Sequence, residues 1–118
     1  MSMIDTPNLE RLTQILDLTT ARQSQITNNV ANVDTPGYHT RDINFAAELD
    51  RAQSGLQLVN SGPQTTEVRG LLERPDGNNV SVEREGLLMA QTQLQFNASV
   101  QLVKLEFHRL ASAINGGS

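Results

Sequence analysis

The chain has 118 residues, a net charge of −4, 3% aromatic side chains, and neither tryptophan nor cysteine. That length allows one domain, and the missing cysteines exclude a disulfide framework and a thiolate metal site. The acidic balance without a basic run argues against a nucleic-acid partner, and no apolar run is long enough to span a bilayer. Hydrophobic residues make up 37%, a low share for a globular domain, so part of the stability is expected from neighbours in an assembly. Met1-Ser2-Met3-Ile4-Asp5-Thr6 has no basic region and no apolar region of a secretory signal. The chain is expected to stay in the cytoplasm or to leave by a route that reads no cleaved signal.

The first element starts at Thr6-Pro7, a cap followed by a first-turn proline. Leu9, Leu12, Leu16, Ile26, Val30 and Val33 follow at alternating spacings of three and four, with Thr19 and Gln23 in the two remaining places. This is a heptad seam, and it predicts a helix over 7–32. The polar Thr19 and Gln23 are either weak layers or residues that fix register.

The pattern stops at Asn28-Asn29-Val30-Ala31-Asn32-Val33-Asp34-Thr35-Pro36-Gly37-Tyr38. Asparagines bond nearby backbone, Pro36 disfavours a helical Thr35, and Gly37 permits a backbone angle that other residues resist. The run predicts a helix whose last turn is tied off and a chain that leaves at a set angle. Asp42 is placed as the cap of a short helix carrying Phe45, Leu49 and Ala52 on one face. Residues 53–79 hold the breakers Ser54-Gly55, Ser61-Gly62-Pro63 and Pro75-Asp76-Gly77. Gln57-Leu58-Val59 and Thr65-Thr66-Glu67-Val68-Arg69 are short extended pieces, neither long enough to argue a sheet, so the segment reads as a loose connector.

The final helix is predicted over 80–114. Met89, Gln93, Phe96, Val100, Val103, Phe107, Leu110 and Ile114 keep the alternating spacing, and Leu94, Ala98, Leu102 and Leu105 form an adjoining stripe. One antiparallel helix cannot cover both, so contact with more than one neighbouring helix follows. Asn115-Gly116-Gly117 ends the helix. The class is therefore all-α: long N- and C-terminal heptad helices paired as an antiparallel coiled coil, a short middle helix and an irregular connector. Residues 1–34, 35–79 and 80–118 form three parts of one domain. The assembly seam is Leu12, Leu16, Ile26 and Val30 with Phe96, Val100, Val103, Phe107, Leu110 and Ile114.

Chemistry is sparse. His39 and His108 are lone histidines, and no serine stands in a nucleophile-elbow context. Glu83 and Glu85 are two apart and do not face one another on a helix. No glycine-rich phosphate loop is present. Asp76-Gly77-Asn78-Asn79 lacks the alternating ligands of a calcium loop and reads as a turn before a helix cap. No catalytic, cofactor-binding or metal site, no cofactor and no small-molecule substrate is expected.

The run from Asn28 to Tyr38 resembles the signature of the flagellar rod and hook family, Asn-hydrophobic-Ala-Asn-x-x-Thr-Pro-Gly-Tyr. Asn28, Asn29, Ala31, Asn32, Thr35, Pro36, Gly37 and Tyr38 carry it. Arg41-Asp42-Ile43-Asn44-Phe45 and Asp76-Gly77-Asn78-Asn79-Val80 are similar to the continuation and to the segment before the last helix in the proximal rod members. The resemblance implies a non-enzymatic structural subunit of the basal-body rod that self-assembles through its terminal helices into the drive shaft for motility. It implies partners among the other rod proteins, the MS ring or rod-adaptor junction and the type III export apparatus, and a place in the rod on the periplasmic side. His39, Thr40 and the abbreviated middle depart from the family's common choices. A different class, a cytoplasmic coiled-coil adaptor or export regulator, is the alternative, and co-purification with intact basal bodies separates the two.

Overall fold

The computed structural model describes residues 7–54 and 62–116. Three helices, α1 (Pro7–Ala31), α2 (Phe45–Ser54) and α3 (Val82–Asn115), account for most of them, with two three-residue strands, β1 (Arg41–Ile43) and β2 (Thr65–Glu67). The molecule measures 68 × 29 × 19 Å, the shape of a rod. Its radius of gyration of 18.1 Å exceeds the roughly 13 Å of a compact chain of this size.

α1 is free of glycine and contains proline only at its first position, where the absent amide hydrogen costs nothing. α3 starts at Ser81, whose hydroxyl accepts from the Arg84 amide at 3.2 Å. Glu83 and Glu85 follow in the first turn, at the positive end of the helix dipole. Gln23 Nε2 donates to Gln93 Oε1 at 2.9 Å and Asn29 Nδ2 to Glu85 Oε1 at 2.5 Å. Numbering therefore falls along one helix as it rises along the other.

Among the described residues, only Leu9, Leu18, Ile26, Ile43 and Val80 are buried hydrophobics. The face of α3 turned inward is centred on Glu85, Thr92, Ser99 and Glu106, all buried and spaced every seventh residue. The hydroxyls are satisfied on their own helices: Thr92 donates to the Leu88 carbonyl at 2.7 Å and Ser99 to Gln95 at 2.8 Å, and Thr19 donates likewise to Ile15. Small polar residues with their hydrogen bonds made at home occupy little volume, so the two helices meet along a line of modest side chains.

Three sequence expectations change in detail. Asp42 does not cap the middle helix. It lies in β1 and takes both guanidinium bonds of Arg22, at 3.1 and 2.9 Å. Asn44 caps α2 instead, its side chain accepting from the Ala47 amide at 3.1 Å. The pieces around Asp42 and Thr66 do form a sheet, antiparallel with Arg41 opposite Glu67 and Ile43 opposite Thr65. The part of the connector from Gly62 onward is thereby tied to α1 through β1, and Asn78, Asn79 and Val80 are buried. Phe45, Leu49 and Ala52 are all half-buried on α2, which packs on α1. The Thr6 cap, Gln57-Leu58-Val59 and Gly117 lie outside the described residues.

Candidate functional site

The site grows from the end of α1. Asn32 Nδ2 donates to the Asn28 carbonyl at 2.8 Å, and the Thr35 hydroxyl donates to Asn32 Oδ1 at 3.0 Å. Tyr38 N donates back to the Thr35 carbonyl at 3.2 Å, with Pro36 and Gly37 between them and Gly37 at φ 76°. Proline then glycine at positive φ is the signature of a type II turn. Ala31, Pro36 and Asn28 are exposed and Val30 is 39% exposed.

Asn29 is the centre. It is 1% exposed, and every polar atom of its side chain is engaged. Its Oδ1 accepts from the Tyr38 hydroxyl at 2.8 Å, Gln25 Nε2 at 3.0 Å and the Arg41 amide at 3.2 Å. Its Nδ2 donates to the Arg41 carbonyl at 2.8 Å and to Glu85. One side-chain amide thus pairs with both backbone groups of Arg41, as a neighbouring strand would. Glu85 is fully buried, and its other oxygen accepts from the Arg84 guanidinium at 2.7 Å. Burial raises the Tyr38 hydroxyl above its ordinary pKa, with the Glu85 charge adding to that and Gln25 and Arg41 opposing it.

The second half comes from far along the chain. Asn78 Nδ2 donates to the carbonyls of Asn32 and Thr35 at 2.9 and 2.8 Å. Arg74 donates to the Val33 carbonyl and, at 3.0 Å, to that of Val80. The carbonyls of Asn32, Val33 and Thr35 lie in the turn just past the end of α1, which has no basic residue in its last turn. The donors that hold this turn, and a positive charge near the negative end of the helix dipole, arrive from residues 74–78. Gly37 N donates to the Asp76 carbonyl at 2.9 Å, and the Thr40 amide donates to Asn79 Oδ1 at 2.6 Å. Gly77, at φ 86°, lies so close that a Cβ there would stand 3.2 Å from the Gly37 Cα. The two sequence stretches Asn28–Tyr38 and Asp76–Val80 thus close on each other.

Sequence reasoning singled out Asn29, Asn32, Thr35, Gly37 and Tyr38, and the structure brings them together with Arg74, Asn78, Asn79 and Glu85. Of the seam residues, Ile26 is buried; Leu12, Leu16, Phe96, Val100, Val103 and Leu110 are half-buried; Phe107 and Ile114 are exposed at 47% and 53%. Glu85 and its heptad companions were missed because a hydrophobic pattern is blind to buried polar residues. Their strict seven-residue spacing was the available signal. No group of three His, Asp or Glu among the described residues is arranged to hold a metal ion, and no helix among them is long and apolar enough to cross a membrane.

Residues 16–39, the second half of α1 with the turn, match the family model described as flagella basal body rod protein. Similarity to curated proteins of that class extends over about nine-tenths of the chain. It is 30% identical to the flagellar basal body rod protein FlgB of Escherichia coli (strain K12), over 89% of this chain and 91% of the relative. It is 33% identical to that of Cereibacter sphaeroides, over 87% and 90%. The Bacillus subtilis (strain 168) protein of the same name is 29% identical over 92% and 94%. The chain belongs to the FlgB family of flagellar basal body rod proteins, a structural and not an enzymatic family.

Proposed function

We propose that the chain builds the flagellar rod through its terminal helices, α1 and α3 pairing as an antiparallel coiled coil whose remaining apolar surface contacts neighbouring subunits. The observation that carries this is the contrast on α3: its inward face is polar and hydrogen-bonded within the chain, whereas Leu87, Leu94, Leu102, Leu105, Phe107 and Ile114 are exposed. The neighbours are other rod proteins, further copies of this chain, and the junction with the MS ring. The chain reaches the periplasmic side through the flagellar type III export apparatus.

In this reading the turn at Thr35-Pro36-Gly37-Tyr38 sets the direction in which the chain leaves α1, carrying β1 and α2 toward a neighbouring subunit. The test is Gly37→Val, alone and with Pro36→Ala, in a strain that lacks its own rod subunit, with export and rod completion scored separately. Near-normal secretion with failed rod assembly is expected. Working flagella from both variants would reduce the turn to a helix stop.

A further inference from the structure

The chain leaves β2 at Glu67 and comes back to the junction at Glu73, bending through Gly70 at φ 82°. Both ends of this loop are pinned by backbone bonds. The Val68 amide donates to the Thr40 carbonyl at 2.9 Å, and the Arg74 amide donates to the Asn78 carbonyl at 2.8 Å. Between the pins Leu72 stands almost fully in solvent.

His39 sits between the two ends. Its Nδ1 lies 3.5 Å from Glu67 Oε2, and its Nε2 lies 3.7 Å from Glu73 Oε2. These are ion-pair distances rather than close hydrogen bonds, and all three side chains are partly in water. Neither glutamate has another ion-pair partner among the described residues. The neighbouring charges are engaged elsewhere. Arg41, opposite Glu67 in the sheet, gives its guanidinium to Thr65 at 3.0 and 2.9 Å. Arg74 gives its guanidinium to the Val33 and Val80 carbonyls, and Asp76 Oδ1 accepts from the Asn78 amide at 3.0 Å. A neutral imidazole has one N–H and one lone pair. Whichever tautomer it takes, the lone pair is turned toward one of the two carboxylates and repels it. The imidazolium donates on both sides, so the arrangement suits the charged ring at both ends at once. Histidine is the side chain that ordinarily takes up its proton near neutral pH.

We propose that His39 is a proton-operated clasp on this loop: the charged ring draws Glu67 and Glu73 together and holds residues 67–73 closed, and the neutral ring lets them open. The sign follows from the charges. The closed loop favours the protonated ring, so closure strengthens as pH falls and weakens as it rises. Leu72 rides on the loop, so its presentation follows pH as well. Partly exposed ion pairs are individually weak, so the clasp shifts a population and does not act all-or-none.

The test is amide hydrogen exchange, read by NMR on the full-length chain and on His39→Gln at about pH 8 and about pH 5.5, where glutamates stay ionised. Taking the variant-to-wild-type rate ratio at each pH cancels the intrinsic pH dependence of exchange. For the Val68 and Arg74 amides this ratio is expected to rise about three-fold or more at the lower pH. The Ile26 amide in α1 reports overall stability and is expected to keep a constant ratio. A ratio indifferent to pH at Val68 and Arg74, or one that moves equally at Ile26, overturns the clasp. A second variant, Glu73→Gln, separates the two ends. Its Arg74 amide is expected to lose the pH response. A response of full size there would mean that His39 works through Glu67 alone, and the two-ended clasp would be wrong.

Discussion

The two ends of the long helix pair are built on different physics. At the junction, Asn29 and Glu85 are buried polar groups whose bonds cross between elements that are far apart in sequence. At the other end, Leu9 and Glu106 are buried, but among the described residues Glu106 bonds to Arg109 one turn on and Ser99 to its own helix. Cross-element bonds specify one geometry, because any displacement strands a buried donor or acceptor. Bonds within a helix are indifferent to how a neighbour lies. The junction therefore dictates its own shape, while the far end leaves its packing less closely specified. A subunit that must arrive with a defined corner and then join a polymer needs both.

This comparison breaks most readily at Asn29, so the largest loss of folding free energy is expected there. Asn29→Ala removes the partner of the Tyr38 hydroxyl, of both Arg41 backbone groups and of the buried Glu85 carboxylate. Removing one partner of a buried charge-assisted network costs about 3–5 kcal/mol. Urea unfolding of the two proteins measures it. A loss under about 1 kcal/mol would mean that water replaces the amide freely and that the junction is no better specified than the far end.

Next come the two glycines that touch. Gly37→Ala meets open space, so its cost is the positive φ alone, about 1–2 kcal/mol. Gly77→Ala carries the same backbone cost and sets a Cβ 3.2 Å from the Gly37 Cα, a backbone atom that cannot swing aside. Overpacking adds about 1 kcal/mol or more. The junction reading requires Gly77→Ala to be the worse of the two by thermal or urea unfolding. Equal losses would mean that the two loops separate at little cost.

The helices were legible in the sequence because leucines at heptad spacing and a first-turn proline speak locally. The turn was legible because proline and glycine act on their own backbone. What stayed hidden was everything that required knowing who lies opposite. Asp42 has the composition of a cap, yet Arg22, twenty residues back, claims its carboxylate. Thr65 to Glu67 is too short to announce a strand, and it forms one because β1 is already held by Asn29. On α3 the hydrophobic pattern chose Gln93, Val100, Phe107 and Ile114 in alternate places, whereas the deepest residues are Thr92, Ser99 and Glu106, one position earlier. A helix with apolar residues on two sides does not say which side its intramolecular partner takes.

A smaller effect tests the junction through pH. Burial raises the Tyr38 pKa above its ordinary 10.0 in the folded chain. Above about pH 10 the unfolded state releases that proton first, so the unfolded chain binds fewer protons than the folded one. Stability supplied by Tyr38 is thus whole below that pH and is lost as pH rises toward the folded pKa. Tyr38→Phe lacks this phase. The difference in unfolding free energy between the two proteins should shrink between neutral pH and strongly alkaline solution. A constant difference would show that the hydroxyl titrates as freely as in an unfolded chain.

The least change in folding is expected at the far end, and there the comparison inverts. Phe107 is 47% exposed and follows the buried Glu106. Phe107→Asp leaves its carboxylate in water in the isolated chain, so folding free energy falls by about 1 kcal/mol or less. In a packed helix array the same carboxylate is desolvated beside apolar side chains, and an unpaired buried charge costs several kcal/mol. The variant is expected to remain soluble and to unfold near the native midpoint, yet to fail in a motility assay in a strain lacking its rod subunit. Asn29→Ala should show the opposite balance, with a large loss in unfolding free energy preceding any loss of assembly contacts. If Phe107→Asp swims normally, this end of α3 faces solvent in the rod. The difference between the two ends would then be one of stability alone and not of division of labour.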